Sequence, residues 1–168
     1  MGLPVSDVPS ETMTTTTRVP ALGAEGWFTT DTDAPALLGL RCSACGTYVF
    51  PKADHGCPNP ACDSTDFDEV ELSRGGTIWS YTDARYQPPA PYVVPTDEHE
   101  PFCIAAVSLA AEGLVVMGQL VPGVTVDDLR VGQPVELVVD VLFTDEGDDG
   151  PTEHLIWKWR PVDEGEVA

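Results

Sequence analysis

Four cysteines constrain this chain more than any other feature of its 168 residues. Their spacing is Cys42-x2-Cys45-x11-Cys57-x4-Cys62. Two short-spaced pairs can each bind one metal ion from a tight turn, and four thiolates around a divalent ion form a closed tetrahedral site. Gly46 and Pro58 follow directly after one cysteine of each pair and suit such turns. Because the site leaves no position open to a substrate, the spacing predicts a structural Zn²⁺.

Other uses of these thiols stay open. Disulfides would suit a secreted chain, but the N-terminus lacks the basic start and apolar stretch of a signal peptide. A Cys-x2-Cys redox dithiol normally sits at a helix N-terminus in a βαβ unit, which the sequence does not predict. Iron also accepts four sulfurs, although a rubredoxin has two residues, rather than four, inside its second pair. His55, between the pairs, could replace one thiol.

The pattern of apolar segments divides the chain into four parts: an arm (1–33), a zinc ribbon (34–73), an OB-fold (74–162) and an acidic tail (163–168). We expect a partly disordered arm, with no ordered structure in its first twenty residues. Trp27 and Phe28 are expected to dock, on this chain's own domain in preference to a partner. In the ribbon, segments 38–41 and 47–50 predict a hairpin with the first thiol pair at its tip, and 67–72 alternates as a strand does.

The remaining sequence predicts five strands, at 77–85, 102–110, 114–121, 135–143 and 154–160. A helical turn at 125–130 lies between the third and fourth strands, an order typical of the OB-fold barrel. A β-sandwich is the alternative. A Pro-rich loop follows the first strand, and an acidic loop is expected at 144–151. The predicted fold class is therefore mainly β, a four-Cys ribbon followed by a five-stranded barrel.

Charge and the length of the apolar runs argue against two function classes. The chain has 28 acidic and 8 basic residues, a net charge of −20, and the basic residues form no run. Nucleic-acid binding draws most of its affinity from Lys and Arg on phosphates, so the balance disfavours it. Zinc ribbons and OB-folds nevertheless both occur in single-strand binders, which keeps that function as the alternative. No apolar run reaches the roughly 18 residues of a membrane span, and we expect a cytoplasmic protein.

The sequence contains no assembled catalytic group. Nucleophile-elbow, phosphate-loop and zinc-protease motifs are missing, so no catalytic residue is predicted. Cys103 lies in an apolar strand and is expected in the core. The acidic residues of 145–149 lack the spacing of a calcium loop. Trp157 and Trp159 share one strand face, which Trp79 could join, as a core or a protein interface.

Several motifs together resemble one family. These are Cys-x2-Cys-Gly, the run Arg74-Gly75-Gly76-Thr77-Ile78-Trp79-Ser80-Tyr81-Thr82, and the segments 102–109, 116–120 and 131–135. They are similar to the rubredoxin-like zinc-ribbon plus OB-fold family of acyl-CoA-associated proteins, long classed as a domain of unknown function. The resemblance covers roughly residues 38–161. The chain departs from the family in the four residues between Cys57 and Cys62, where two are usual.

The resemblance implies a non-catalytic accessory subunit. By this resemblance, members accompany a thiolase or thiolase-like aldolase and help to hold an acyl-CoA. One relative is the C-terminal domain of a hydratase subunit in steroid side-chain breakdown, and that subunit pairs with a lipid-transfer-like aldolase. Because CoA carries phosphates and this chain is acidic, we expect a site shared with a more basic partner in a hetero-oligomer. Candidate contacts to CoA or the partner are Lys52, Arg74, Arg85 and Tyr86. Ordinary surface charge is the alternative for the three cations.

Overall fold

The structure is a computed structural model that describes residues 16–53, 55–89, 98–147 and 150–163. It is mainly β, as predicted. The strands are β1 (Thr17–Pro20), β2 (Leu38–Cys42), β3 (Tyr48–Val49), β4 (Phe67–Glu71), β5 (Gly75–Ala84), β6 (Phe102–Leu109), β7 (Leu114–Leu120), β8 (Pro134–Gly147) and β9 (Gly150–Pro161). One 3₁₀ helix, Val126–Asp128, lies between β7 and β8. Within the described ranges, no helix has the length and apolarity that a membrane span requires.

The ribbon is a three-stranded antiparallel sheet in the order β3-β2-β4. The hairpin of β2 and β3 places Cys42 and Cys45 at its tip, as the sequence predicts. Leu40 at the centre of β2 lies opposite Val49 on one side and Glu69 on the other. Such a small sheet has little apolar area to bury, so a further stabilising element is expected at its tip.

The barrel is formed by β5 to β9. Their order is β9-β7-β6-β5-β8, and pairing of β8 with β9 closes it. β7 and β9 run parallel, while the other barrel pairs are antiparallel. The 3₁₀ helix lies between β7 and β8, where the sequence predicted a helical turn. This strand arrangement and this helix position are those of an OB-fold. Trp159 fills the core with no exposed surface, and Cys103 is a buried core residue, as predicted.

Four residues of the arm that were expected to be disordered form a strand. Thr17–Pro20 forms β1, which runs parallel beside β9 with Thr17 opposite Thr152. The segment continues into Ala21, whose N–H donates to the Leu155 carbonyl at 2.8 Å. The expectation was wrong for these residues because the open edge of β9, more than 130 residues away in the chain, supplies their hydrogen bonds. Residues 1–15 lie outside the described ranges.

The expectation of an acidic loop at 144–151 was also wrong for most of its residues. β8 continues to Gly147 and β9 begins at Gly150, so most of 144–151 extends the barrel hairpin. Phe143 stacks on His154 at 4.3 Å between ring centroids, and His154 Nε2 lies 3.0 Å from the Asp145 carboxylate. These cross-strand contacts stabilise the pairing of the two strands. The acidic sequence can form a strand here because its carboxylates can face solvent. Residues 148–149, 90–97 of the Pro-rich loop and 164–168 of the tail lie outside the described ranges.

An aromatic cluster joins arm, ribbon and barrel. The Trp157 ring lies 6.1 Å from that of Trp27, 5.7 Å from Phe28 and 6.0 Å from Phe50. Phe28 is buried, so docking of the arm on its own domain is confirmed. Trp157 and Trp159 are both buried, whereas Trp79 is 63% exposed and does not join them.

Candidate functional site

The four predicted metal ligands lie together at one end of the ribbon. All four sulfurs are within 4.8 Å of one another; Cys42 and Cys62 are 3.8 Å apart, and Cys45 and Cys57 are 3.5 Å apart. Tetrahedral zinc with Zn–S distances of about 2.3 Å requires sulfurs about 3.8 Å apart. The thiols therefore fit a Zn²⁺ ion without rearrangement. Within the described ranges, no other group of three or more potential ligands comes this close, and His55 is not part of this one.

Backbone N–H groups point at the sulfurs. Cys42 accepts from the N–H of Cys45, Cys45 from Thr47, Cys57 from Asn59 and Cys62 from Ser64. Gly46 makes the first turn possible, since its φ of 77° lies in the left-handed region that a side chain disfavours. Such donors stabilise thiolates, the form in which cysteine binds a metal.

A local turn accommodates the four residues between Cys57 and Cys62. The Asn59 carboxamide oxygen accepts from the N–H of Ala61 at 3.0 Å, and the Asn59 carbonyl accepts from the N–H of Cys62 at 2.9 Å. This local turn returns the chain to the site despite two extra residues. Sequence reasoning missed the role of Asn59, although an Asn between two prolines is a recognised turn signal.

The thiols differ in how readily they ionise. Hydrogen bonds from the Thr47 hydroxyl and then the Thr47 N–H lower the pKa of Cys45 to about 6. At Cys62 the N–H of Ser64 lowers the pKa, but burial and the three neighbouring thiols outweigh it and raise the pKa to about 12. Four thiolates at this separation repel one another, and a divalent cation at their centre removes that repulsion. The centre holds the ribbon together and offers no open coordination position.

The candidate contacts to CoA or a partner are not gathered into one site. Lys52 pairs with Glu69 in the ribbon, and Arg85 pairs with Asp83 at the end of β5. Arg74 and Tyr86 are exposed. All four lie in described ranges, and no hydrogen bond or ion pair joins any two of these side chains there. Their roles remain predictions.

Carboxylates neutralise most of the basic side chains. Besides the two pairs above, ion pairs join Arg18 to Glu153, Lys158 to Asp140 and Arg160 to Glu136. At least five of the eight basic residues are thus paired with carboxylates within the described ranges. A phosphate would have to displace a carboxylate at each of them, which weighs against binding of nucleic acid by this chain.

Comparison with known proteins decides the family. Residues 31–68 match a family described as the ChsH2 rubredoxin-like zinc ribbon domain, and residues 69–140 match the ChsH2 C-terminal OB-fold domain. A DUF35 domain-containing scaffold protein of Methanocaldococcus jannaschii is 33% identical over 76% of this chain and 82% of its own length. The chain belongs to the DUF35 family.

Two further relatives are named as enzyme subunits. The benzoylsuccinyl-CoA thiolase subunit BbsA of Thauera aromatica is 43% identical over 32% of this chain and 35% of its own length. A probable enoyl-CoA hydratase alpha subunit of Thermomonospora curvata is 34% identical over 60% of this chain and 28% of its own length. Among solved structures, a chain of the Ltp2-ChsH2(DUF35) aldolase superposes with a TM-score of 0.52 at 30% identity, covering 75% of this chain and 84% of that one.

Proposed function

We propose that this DUF35 protein is a non-catalytic accessory subunit. It binds a thiolase-like subunit, either a thiolase or a retro-aldolase, and helps to hold the acyl-CoA at a site shared between the two chains. The observation that carries the proposal is the closed four-sulfur centre, in a chain similar to one from the Ltp2-ChsH2(DUF35) aldolase. A metal held by four protein sulfurs can stabilise a fold but cannot activate a substrate.

Charge supports a shared site for the acyl-CoA. The cations of Lys52 and Arg85 already contact carboxylates, while Arg74 makes no ion pair within the described ranges. A chain with a net charge of −20 attracts basic surfaces and repels the phosphates of CoA. The partner would therefore supply most of the positive charge that the CoA phosphates need. No disulfide joins the five cysteines, all of which lie in described ranges, and this fits a reducing cytoplasm as the place of assembly.

The test is reconstitution with the thiolase-like subunit of the same host. The two chains are co-expressed, separated by gel filtration, and assayed for cleavage of a steroid side-chain acyl-CoA and of benzoylsuccinyl-CoA. We expect a stable hetero-oligomer, higher acyl-CoA cleavage by the partner in the complex, and no turnover by this chain alone. Turnover of a thioester by the purified chain would refute the proposal, as would failure of the two subunits to associate.

A further inference from the structure

One outer surface of the barrel exposes large apolar side chains. On the adjacent strands β5, β6 and β7, the outward-facing residues Trp79, Ile104, Ala106, Val115 and Met117 form what we call the tryptophan face. Trp79 is 63% exposed, Met117 64% and Val115 51%. Ala106 of the central strand lies opposite Met117 on β7 and opposite Ser80 on β5, so the residues are contiguous. A shallow groove of about 200 Å³ is lined by Trp79, Ile104, Ala106 and Met117 of this face.

A β-bulge sets the position of Trp79. The register between β5 and β6 shifts between Ile78 and Ser80, and Trp79 is the extra residue. Ile78 is buried in the core, while Trp79 and Ser80 are both exposed. Bulges redirect side chains and recur beside functional surfaces. The indole is thus presented to solvent from a hydrogen-bonded sheet, which lowers the entropy that binding would cost.

The tryptophan face is uncharged. The outward positions of β5, β6 and β7 around it carry Ser, Thr and Gln but no Asp, Glu, Lys or Arg, although 28 of the 168 residues are acidic. Its exposed apolar area is on the order of 400 Å², the size of a functional patch on a monomer. Stable interfaces bury about 800 Å² on each partner, so this patch would form the apolar centre of a larger contact.

We propose that the tryptophan face is where the thiolase-like subunit docks, with Trp79 as the central anchor. This inference rests on the proposed function and adds the location of the contact. The partner's surface would be apolar at its centre and basic at its rim, complementing the charge of this chain. A second copy of this chain is disfavoured because it would bring together two molecules of net charge −20. A single-stranded nucleic acid could stack on Trp79 but would find no cation on the face for its phosphates.

The first experiment is hydrogen peroxide footprinting of the wild-type chain, alone and in complex with the host's thiolase-like subunit. Met117 is oxidised readily when exposed, and mass spectrometry reports its sulfoxide by peptide. We expect its oxidation rate to fall at least tenfold in the complex. An unchanged rate in a complex shown to be intact would overturn the docking site and leave the proposed function standing.

The second experiment compares Trp79→Glu with Leu22→Glu in the zinc-loaded full-length chain. Leu22 is 88% exposed in the arm, outside the tryptophan face, and so provides a matched apolar-to-acidic control. We expect Trp79→Glu to weaken the complex at least thirtyfold and Leu22→Glu by less than twofold. Equal effects would refute the docking site, whereas wild-type chains that do not associate would refute the proposed function as well. Salt-dependent binding of an oligothymidylate that Trp79→Glu abolishes would show that nucleic acid covers the face instead.

Discussion

Trp157 should be the residue whose loss most weakens the contact between ribbon and barrel. Its ring touches Trp27 and Phe28 of the arm and Phe50 of the ribbon, and its Nε1 donates to the Met117 carbonyl at 3.1 Å. Buried Trp-to-Ala changes cost about 3–5 kcal/mol. Since Trp157 combines three ring contacts with a hydrogen bond, we expect Trp157→Ala to lower the free energy of unfolding by about 4 kcal/mol. Trp157→Phe keeps a ring but loses the hydrogen bond, and should cost about 1–2 kcal/mol.

Urea unfolding of the zinc-loaded protein, followed by circular dichroism, measures this effect. With a urea dependence of about 2 kcal/mol/M, the Trp157→Ala midpoint should fall by about 2 M. Trp79→Ala is the matched control, because that side chain is 63% exposed and should shift the free energy of unfolding by no more than about 0.5 kcal/mol. If Trp157→Ala and Trp79→Ala shift the midpoint equally, the aromatic cluster does not hold the two modules together.

Three further predictions concern single sites. Gly118→Ala should destabilise the fold, because an added Cβ would lie 2.8 Å from Trp159 Nε1. Its thermal unfolding temperature is compared with that of Val115→Ala as the control. Hydrogen bonds from the Thr125 hydroxyl and N–H lower the pKa of Asp128. The ionised carboxylate therefore stabilises the fold fully above its unfolded pKa of about 3.8, and that stabilisation is lost as the pH falls through the lowered pKa of the folded state. In Thr125→Val, carboxyl NMR titration should find the Asp128 pKa higher than in wild type. Cys42→Ser should abolish binding of one equivalent of Zn²⁺, measured by metal analysis, and unfold the ribbon.

The metal centre and the barrel could be predicted because both depend on patterns of residues that are close together in the sequence. The cysteine spacing determines which sulfurs can share an ion, and the short strands with a helical turn at 125–130 are typical of an OB-fold. Strand β1 could not be predicted, since Thr17–Pro20 depends on the edge of β9 for its hydrogen bonds. Charge alone also could not show that Lys52 and Arg85 already have carboxylate partners. Pairing between distant segments, rather than composition, decides these features.

A continuous set of contacts connects the metal centre to the tryptophan face. Cys45 lies just before β3, and Phe50 just after it packs against Trp157. The Trp157 indole in turn donates to the carbonyl of Met117, whose side chain lies on the tryptophan face. Loss of the metal would release the turn that positions Phe50, and so remove support from the barrel strand that presents Met117. In the proposed complex, a closed metal centre would therefore influence assembly without binding substrate, because the module that the metal folds supports the strand that presents the proposed docking surface.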